Sequence, residues 1–301
     1  MELRVLNYFL TVAREGNFSR AAEKLHLSQP TLSRQIKDIE EEYGKVLLIR
    51  EPRRIILTDE GELLRRRAEE ILSLVEKTEG ELLSSEKSIS GDIRIGAGES
   101  VNFSLVMQVA KEIRQSYPNI RFHIISGDGE TTLKRLERGL IDFGYVYGDL
   151  DPSKYSQLSL PAQDRWGVLI NKQNKLTKKK SISPADLWNQ PLLLSRQTLS
   201  PSTHGDELLN WLGKPLEELN ITGSYSLLYN ASIMVRENLG CAIAFANIIN
   251  TTGSDICYRP LKPKIIASPL IAWKKNQVFS KASQVFLEAL QEKFHTKSAS
   301  H

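Results

Sequence analysis

Ser28-Gln29-Pro30-Thr31-Leu32-Ser33-Arg34-Gln35-Ile36-Lys37-Asp38-Ile39-Glu40-Glu41-Glu42-Tyr43-Gly44 is the stretch on which the fold of this chain turns. Ser28 can cap a helix, Pro30 is tolerated in a first turn, and Gly44 supplies a stop. At about 100° per residue, Leu32, Ile36, Ile39 and Tyr43 share one face. Pro30, Ser33, Arg34, Lys37 and Glu41 fall on the opposite face. The spacing therefore predicts a helix with one buried side and one wet side. A helix that enters a DNA major groove needs short hydroxyl or amide groups and one or two cations in its N-terminal half. Gln29, Thr31, Ser33 and Arg34 supply them. A merely solvated helix face would look the same in isolation, so the neighbouring residues decide.

Upstream, Leu3, Leu6, Phe9, Leu10 and Ala13 recur at helical spacing until Gly16-Asn17. Ser19 is placed to cap a second short helix holding Ala21, Ala22 and Leu25, and His26-Leu27 makes the turn. Downstream, two β-rich runs, Val46 to Ile49 and Ile55 to Leu57, flank Glu51-Pro52-Arg53-Arg54, a hairpin with a basic tip. Helix, turn, helix and wing together predict double-stranded DNA as a partner. Gln29, Pro30, Thr31, Ser33, Arg34 and Lys37 form the expected reading face, with Arg50, Arg53 and Arg54 on the wing.

From Thr58 the pattern is a long helix whose first turn is acidic (Asp59, Glu60), as its positive N-terminal end favours. Leu64, Ala68, Ile71, Val75, Thr78 and Leu82 alternate in steps of four and three, a heptad seam that needs a partner. A second copy of the chain is the simplest one. The polar, small-residue stretch Ser84 to Gly91 reads as a linker. Beyond it strands and helices alternate: strands at Ile93 to Ala97, Arg121 to Ser126, Phe143 to Tyr147, Gly167 to Asn171, Leu192 to Ser195, Ala242 to Phe245 and Ile271 to Trp273. Helices are expected at Phe103 to Tyr117, Thr131 to Gly139, Pro184 to Trp188, Asp206 to Leu212, Ala231 to Glu237 and Ser280 to Phe294. That alternation predicts a mostly parallel α/β sheet covered on both faces. The expected division is 1–58 for DNA binding, 59–90 for the dimerising helix and hinge, and 91–301 for the remainder.

The run Phe9-Leu10 … Phe18-Ser19 … Ala21-Ala22 … Leu25 … Ser28-Gln29-Pro30 … Ser33 … Ile36 … Glu40 … Gly44 … Leu47 … Arg50 … Arg53 … Leu57-Thr58 … Gly61 closely resembles the N-terminal domain of LysR-type transcriptional regulators. Tyr117-Pro118-Asn119-Ile120, then Leu136 with Gly139 and Asp142, and Asn238-Leu239-Gly240 are similar to that family's effector domain. Leu48 departs from the usual Phe, and Cys241-Ala242 follows Gly240 where Gly or Ile is commoner. The resemblance implies a winged helix-turn-helix followed by a two-lobed fold of the type 2 periplasmic-binding-protein kind. Lobe one would comprise about 92–161 and 268–295, and lobe two about 162–267. It also implies a small-molecule effector and a homotetramer, a dimer of dimers.

Charge and composition narrow the alternatives. The 301 residues suggest about two domains. Net charge is +4, yet residues 1–60 hold ten cations and ten anions, so DNA binding rests on where charges point rather than on bulk attraction. No apolar run approaches the ~20 residues of a membrane span, and no signal peptide is legible, so a cytoplasmic protein is expected. Cys241 and Cys257 read as a reduced pair of small hydrophobes. Ser84-Ser85-Glu86-Lys87 matches an acyl-enzyme spacing without its partner motifs, and Gly96-Ala97-Gly98 lacks a third glycine because Val101 stands there. The five histidines lack metal spacing. Neither catalysis nor a cofactor is expected. A solute-binding protein of the same two-lobed fold is the alternative, against which the DNA-reading helix counts.

In open α/β sheets, ligands gather beyond the carboxyl ends of strands. Gly98, Ser100 and Asn102 follow the first strand there, Gly127 and Asp128 the second, and Tyr147 ends the third. Ser195, Arg196 and Thr198 follow a strand of the other lobe. In the family resembled, Ser100 stands where a Ser or Thr often binds effector. Hydroxyls, free N–H groups and Arg196 together predict a small anionic, carboxylate-type metabolite.

Overall fold

The computed structural model describes residues 1–51, 54–83, 89–199 and 206–295, in two units, Met1–Leu83 and Ser84–His301. In the first unit, α1 (Leu3–Glu15), α2 (Phe18–Lys24) and α3 (Gln29–Tyr43) converge on a core in which Phe9, Val12, Leu32 and Ile36 are wholly buried. Gly16 and Gly44 close α1 and α3 at φ 59° and 61°, the left-handed conformation that glycine adopts without a Cβ penalty. Ser28 Oγ accepts the Thr31 amide at 3.3 Å and caps α3. The cap of α2 is Asn17 rather than Ser19: its side chain accepts both the Ser19 and Arg20 amides, at 2.9 and 3.1 Å. Tyr43 leaves the apolar face predicted for it and stands 53% exposed, because the core ends one turn earlier at Ile39.

The wing pairs β1 (Leu48–Arg50) antiparallel to β2 (Ile55–Leu57), with Leu48 opposite Leu57 and Arg50 opposite Ile55. The strand starts two residues later than its sequence suggests. The Leu47 and Leu48 amides go instead to Glu40 Oε1, at 2.7 and 3.1 Å, which ties the wing to α3. In α4 (Asp59–Leu83), Ala68 is fully buried in this same core with Leu64 and Leu72 against it. The first part of the heptad seam is thus covered by α1 of its own chain. Ile71 (36% exposed) and Leu74 (46%) lie open beyond it, while the side chain of Leu82 lies outside the described residues.

The second unit runs β3 (Gly91–Ala97), α5 (Ser104–Ser116), β4 (Ile120–Ser126), α6 (Gly129–Glu137), β5 (Phe143–Tyr147), β6 (Tyr155–Ser159), β7 (Asp164–Asn171), α7 (Pro184–Leu187) and β8 (Leu192–Ser195). It continues through α8 (Arg196–Leu199), α9 (Asp206–Leu212), β9 (Ile221–Tyr225), α10 (Leu228–Arg236), β10 (Cys241–Phe245), β11 (Ile256–Pro260), β12 (Ile266–Ala267), β13 (Pro269–Lys274) and α11 (Lys281–His295). Two sheets result, ordered β4-β3-β5-β13-β6 and β11-β7-β10-β8-β9, with β12 on β7. The first lobe covers its sheet with α5 and α11 on one face and α6 on the other. The second does so with α7 and α9 against α10.

The sheets are mixed rather than mostly parallel. β3, β4 and β5 run parallel, but β13 is antiparallel to β5 and β6; β8, β9 and β10 run parallel, but β7 opposes β10 and β11. The chain crosses between lobes twice, and β7 and β13, the strands that follow the two crossings, run antiparallel to their neighbours β10 and β5. β6 and β9, which carry no apolar run in sequence, are sheet edges, with Tyr155 and Leu158 buried in β6 and Tyr225 in β9.

Candidate functional site

Gln29, Pro30, Thr31, Arg34 and Lys37 all stand exposed on one side of α3, opposite Leu32, Ile36 and Ile39. Ser33 is half-buried because Arg50 reaches across from the wing: the guanidinium donates to Ser33 Oγ at 3.1 Å and lies 4.6 Å from the centre of the Phe18 ring. Arg50 therefore clamps wing, α2 and α3 together, a role its sequence position did not announce. Thr31 shares a 2.7 Å hydroxyl contact with Ser28, and Lys37 pairs with Glu41 at 2.9 Å. Arg54 pairs with Glu51 at 2.7 Å at the tip of the wing, and Arg53 lies outside the described residues. Arg34 has no ion pair among the described residues, so its guanidinium stands free on this exposed face.

Between the lobes of the second unit lies a cavity of about 450 Å³. Of the residues read from the sequence, Gly98, Gly127, Asp128, Tyr147, Ser195, Arg196 and Thr198 line it. Ser100 and Asn102 do not. The Ser100 hydroxyl donates to both oxygens of Asp164, at 2.9 and 3.0 Å, and its oxygen accepts the Asn102 amide at 3.0 Å. Tyr147 donates to the same carboxylate at 2.8 Å, and Tyr145 donates to Ser100 Oγ at 3.1 Å. Asp164, only 2% exposed, begins β7 where the chain enters the second lobe, and Ala267 of β12 pairs with it. Ser100 is thus a hinge residue rather than a wall of the cavity. Burial pushes the Tyr145 hydroxyl up from 10.0 to about 12, and Tyr147 is driven higher still by burial, Tyr145 and Asp164. Both stay protonated and donate at every ordinary pH.

The other expected seats for an anion are also taken. Asp128 caps α6, accepting the Thr131 amide at 2.7 Å. Glu99, from the loop after β3, crosses the cleft to accept the Leu228 amide at the start of α10. Sequence reasoning missed Glu99, as it missed the aromatic wall of Tyr147, Phe245 and Trp166. Their ring centres are 5.1 and 4.4 Å apart in succession. Nothing in the local sequence relates Trp166 to Tyr147; only the crossing of the chain does. The thiols of Cys241 and Cys257 are free, and burial pushes that of Cys241 up to about 11. Among the described residues no three His, Cys, Asp or Glu side chains gather as a metal requires, and no helix is long and apolar enough to cross a membrane.

Comparison with known proteins fits both regions. Residues 3–62 match the bacterial regulatory helix-turn-helix proteins of the lysR family, and residues 86–295 match the LysR substrate binding domain. The chain belongs to the LysR family. It is accordingly a DNA-binding transcriptional regulator with an effector-binding domain. The Hca operon transcriptional activator HcaR of Escherichia coli (strain K12) is 28% identical, over 99% of this chain and 100% of that protein. Crystal structures of the LysR regulator CbnR, alone and full-length with its target DNA, share the fold. Their TM-scores are 0.76 and 0.73 at 21% and 22% identity, covering 98% and 97% of this chain and 99% of each neighbour.

Proposed function

We propose that this LysR regulator reads an operator through Gln29, Pro30, Thr31 and Arg34 in the major groove, while Lys37 and the wing residues Arg53 and Arg54 contact phosphate. Ser33 and Arg50 hold the wing at its angle to the reading helix. The single observation that carries this reading is the exposed polar face of α3, set against a fully buried opposite face. Residues 1–58 then bind DNA, 59–90 pair two copies through the open part of α4 at Ile71, Leu74 and Val75, and 91–301 bind a small effector in the interlobe cavity. Lobe one takes in 92–161 and 268–295, and lobe two 162–267. Two such dimers assemble as a tetramer, in the cytoplasm, with no catalytic step. CbnR, crystallised with its target DNA, supports the first part by analogy. A solute-binding protein would leave the match of residues 3–62 without a purpose.

The test is retention of the DNA upstream of the protein's own gene in a gel. The wild type is expected to shift it, and Arg34→Ala to lose about 1–3 kcal/mol of binding if its guanidinium meets a base edge. Unchanged affinity in Arg34→Ala would sink the assignment of the reading face.

A further inference from the structure

The interlobe cavity carries more acid than base. Glu99, Asp128, Asp149 and Glu207 line it, with Arg196 as the single cationic side chain among its lining residues. Asp164 lies directly behind Tyr147, so a fifth carboxylate contributes its field from the hinge. The devices that would receive an anion are already filled from within the chain. Glu99 occupies the start of α10, Asp128 the start of α6, and the Ser100 hydroxyl points to Asp164. A ligand carboxylate would have to displace Glu99 and then sit among the remaining acids with Arg196 as its one counter-charge. Asp149 and Glu207, by contrast, are exposed at the cavity, with no ion pair among the described residues. The rings of Tyr147, Phe245 and Trp166 line the same cavity as one continuous wall, and ring faces attract cations. Carboxylates around a cavity that restricts water act more strongly than they would in bulk solvent.

We propose that the cleft selects an organic cation, an ammonium or guanidinium group carried on an aromatic or apolar body. The body packs on the Trp166–Phe245–Tyr147 wall, and the cationic head faces Asp149 and Glu207. Arg196, which begins α8, also lines the cavity and disfavours a cationic head seated against it. This deepens the reading of the cavity as the effector site and rests on it.

Two probes of one ring system and opposite charge test it: tryptamine and indole-3-acetate. Each is titrated calorimetrically into the full-length protein at pH 7 and low salt, with the Asp149→Asn/Glu207→Gln double variant in parallel. Both replaced side chains are exposed, so the fold is retained, and coincident melting curves check this. Tryptamine is expected to bind the wild type about tenfold more tightly than indole-3-acetate, and the double variant to lose most of that preference. Tighter binding of indole-3-acetate would overturn the cationic selection while leaving the cleft as the effector site. Binding of neither probe, or binding of both unaltered by the double variant, would overturn the cleft reading and the selection together.

Discussion

Helix α3 and the interlobe cleft put their polar side chains to opposite uses. On α3 the groups that matter point outward, and their supports come from nearby in the chain: Glu40 holds Leu47 seven residues on, and Arg50 holds Ser33 across seventeen. In the cleft the polar groups are one another's partners at long range, Ser100 with Asp164 across 64 residues and Glu99 with Leu228 across 129. A local site leaves its signature in residue spacing. A site assembled across two lobes does not.

That contrast can be broken by experiment, because all four tryptophans lie in the second unit and their fluorescence follows it alone. Gly61→Ala is expected to have the largest effect. A Cβ there would meet the Leu47 carbonyl oxygen at 2.1 Å, so wing or helix must move, at about 3 kcal/mol. Gly80→Ala on the same helix meets nothing and should stabilise by about 0.5–1 kcal/mol. Helical circular dichroism should register both changes while the tryptophan transition stays put; movement of that transition would break the separation of the units. Asp164→Ala removes the acceptor shared by Ser100 and Tyr147 and leaves two hydroxyls unanswered, at about 2 kcal/mol. Here the tryptophan transition should fall while half-saturation by operator DNA without effector is unchanged.

Smaller effects sharpen the same comparison. Asn17→Ala should cost about 1 kcal/mol, visible only in the first unit, because it leaves the Ser19 and Arg20 amides uncapped. At Asp92, burial alone would raise the carboxyl, but hydrogen bonds from Arg121 and His123 outweigh it and hold it below 3.8. Its contribution is therefore complete at neutral pH and disappears as the pH falls through and below that value. The partners are largely exposed, so Asp92→Asn should cost only about 0.5 kcal/mol in the tryptophan transition at pH 7, and less at pH 3.

What the sequence disclosed follows the same division. The caps at Ser28, Gly16 and Gly44 are local, and each is legible from two or three residues. The seam of α4 was legible as a period but not as an environment, since only the packed domain shows α1 already covering Ala68. In the cleft, the rule about strand ends found seven lining residues, because it describes the backbone. It failed at Ser100, whose hydroxyl is directed by Asp164, a residue with no mark in sequence beyond being an acid at the start of a strand. Glu99 escaped notice for the same reason: a carboxylate that caps a helix 129 residues away looks, in sequence, like any exposed glutamate.

The double crossing at the hinge also governs how the lobes can move. Arg165 pairs with Ile266 and Asp164 with Ala267, so the two connecting segments form a short antiparallel ribbon rather than two independent strings. Such a ribbon bends and twists about one line but resists sliding, since a slip would break both residue pairs of its ladder. The lobes then turn like a door on a single pin, with Asp164, Ser100 and Tyr147 beside the pin and hardly displaced. Arg196 and Glu207 line the cleft from the second lobe, so rotation about that ribbon would carry them with it relative to the first lobe.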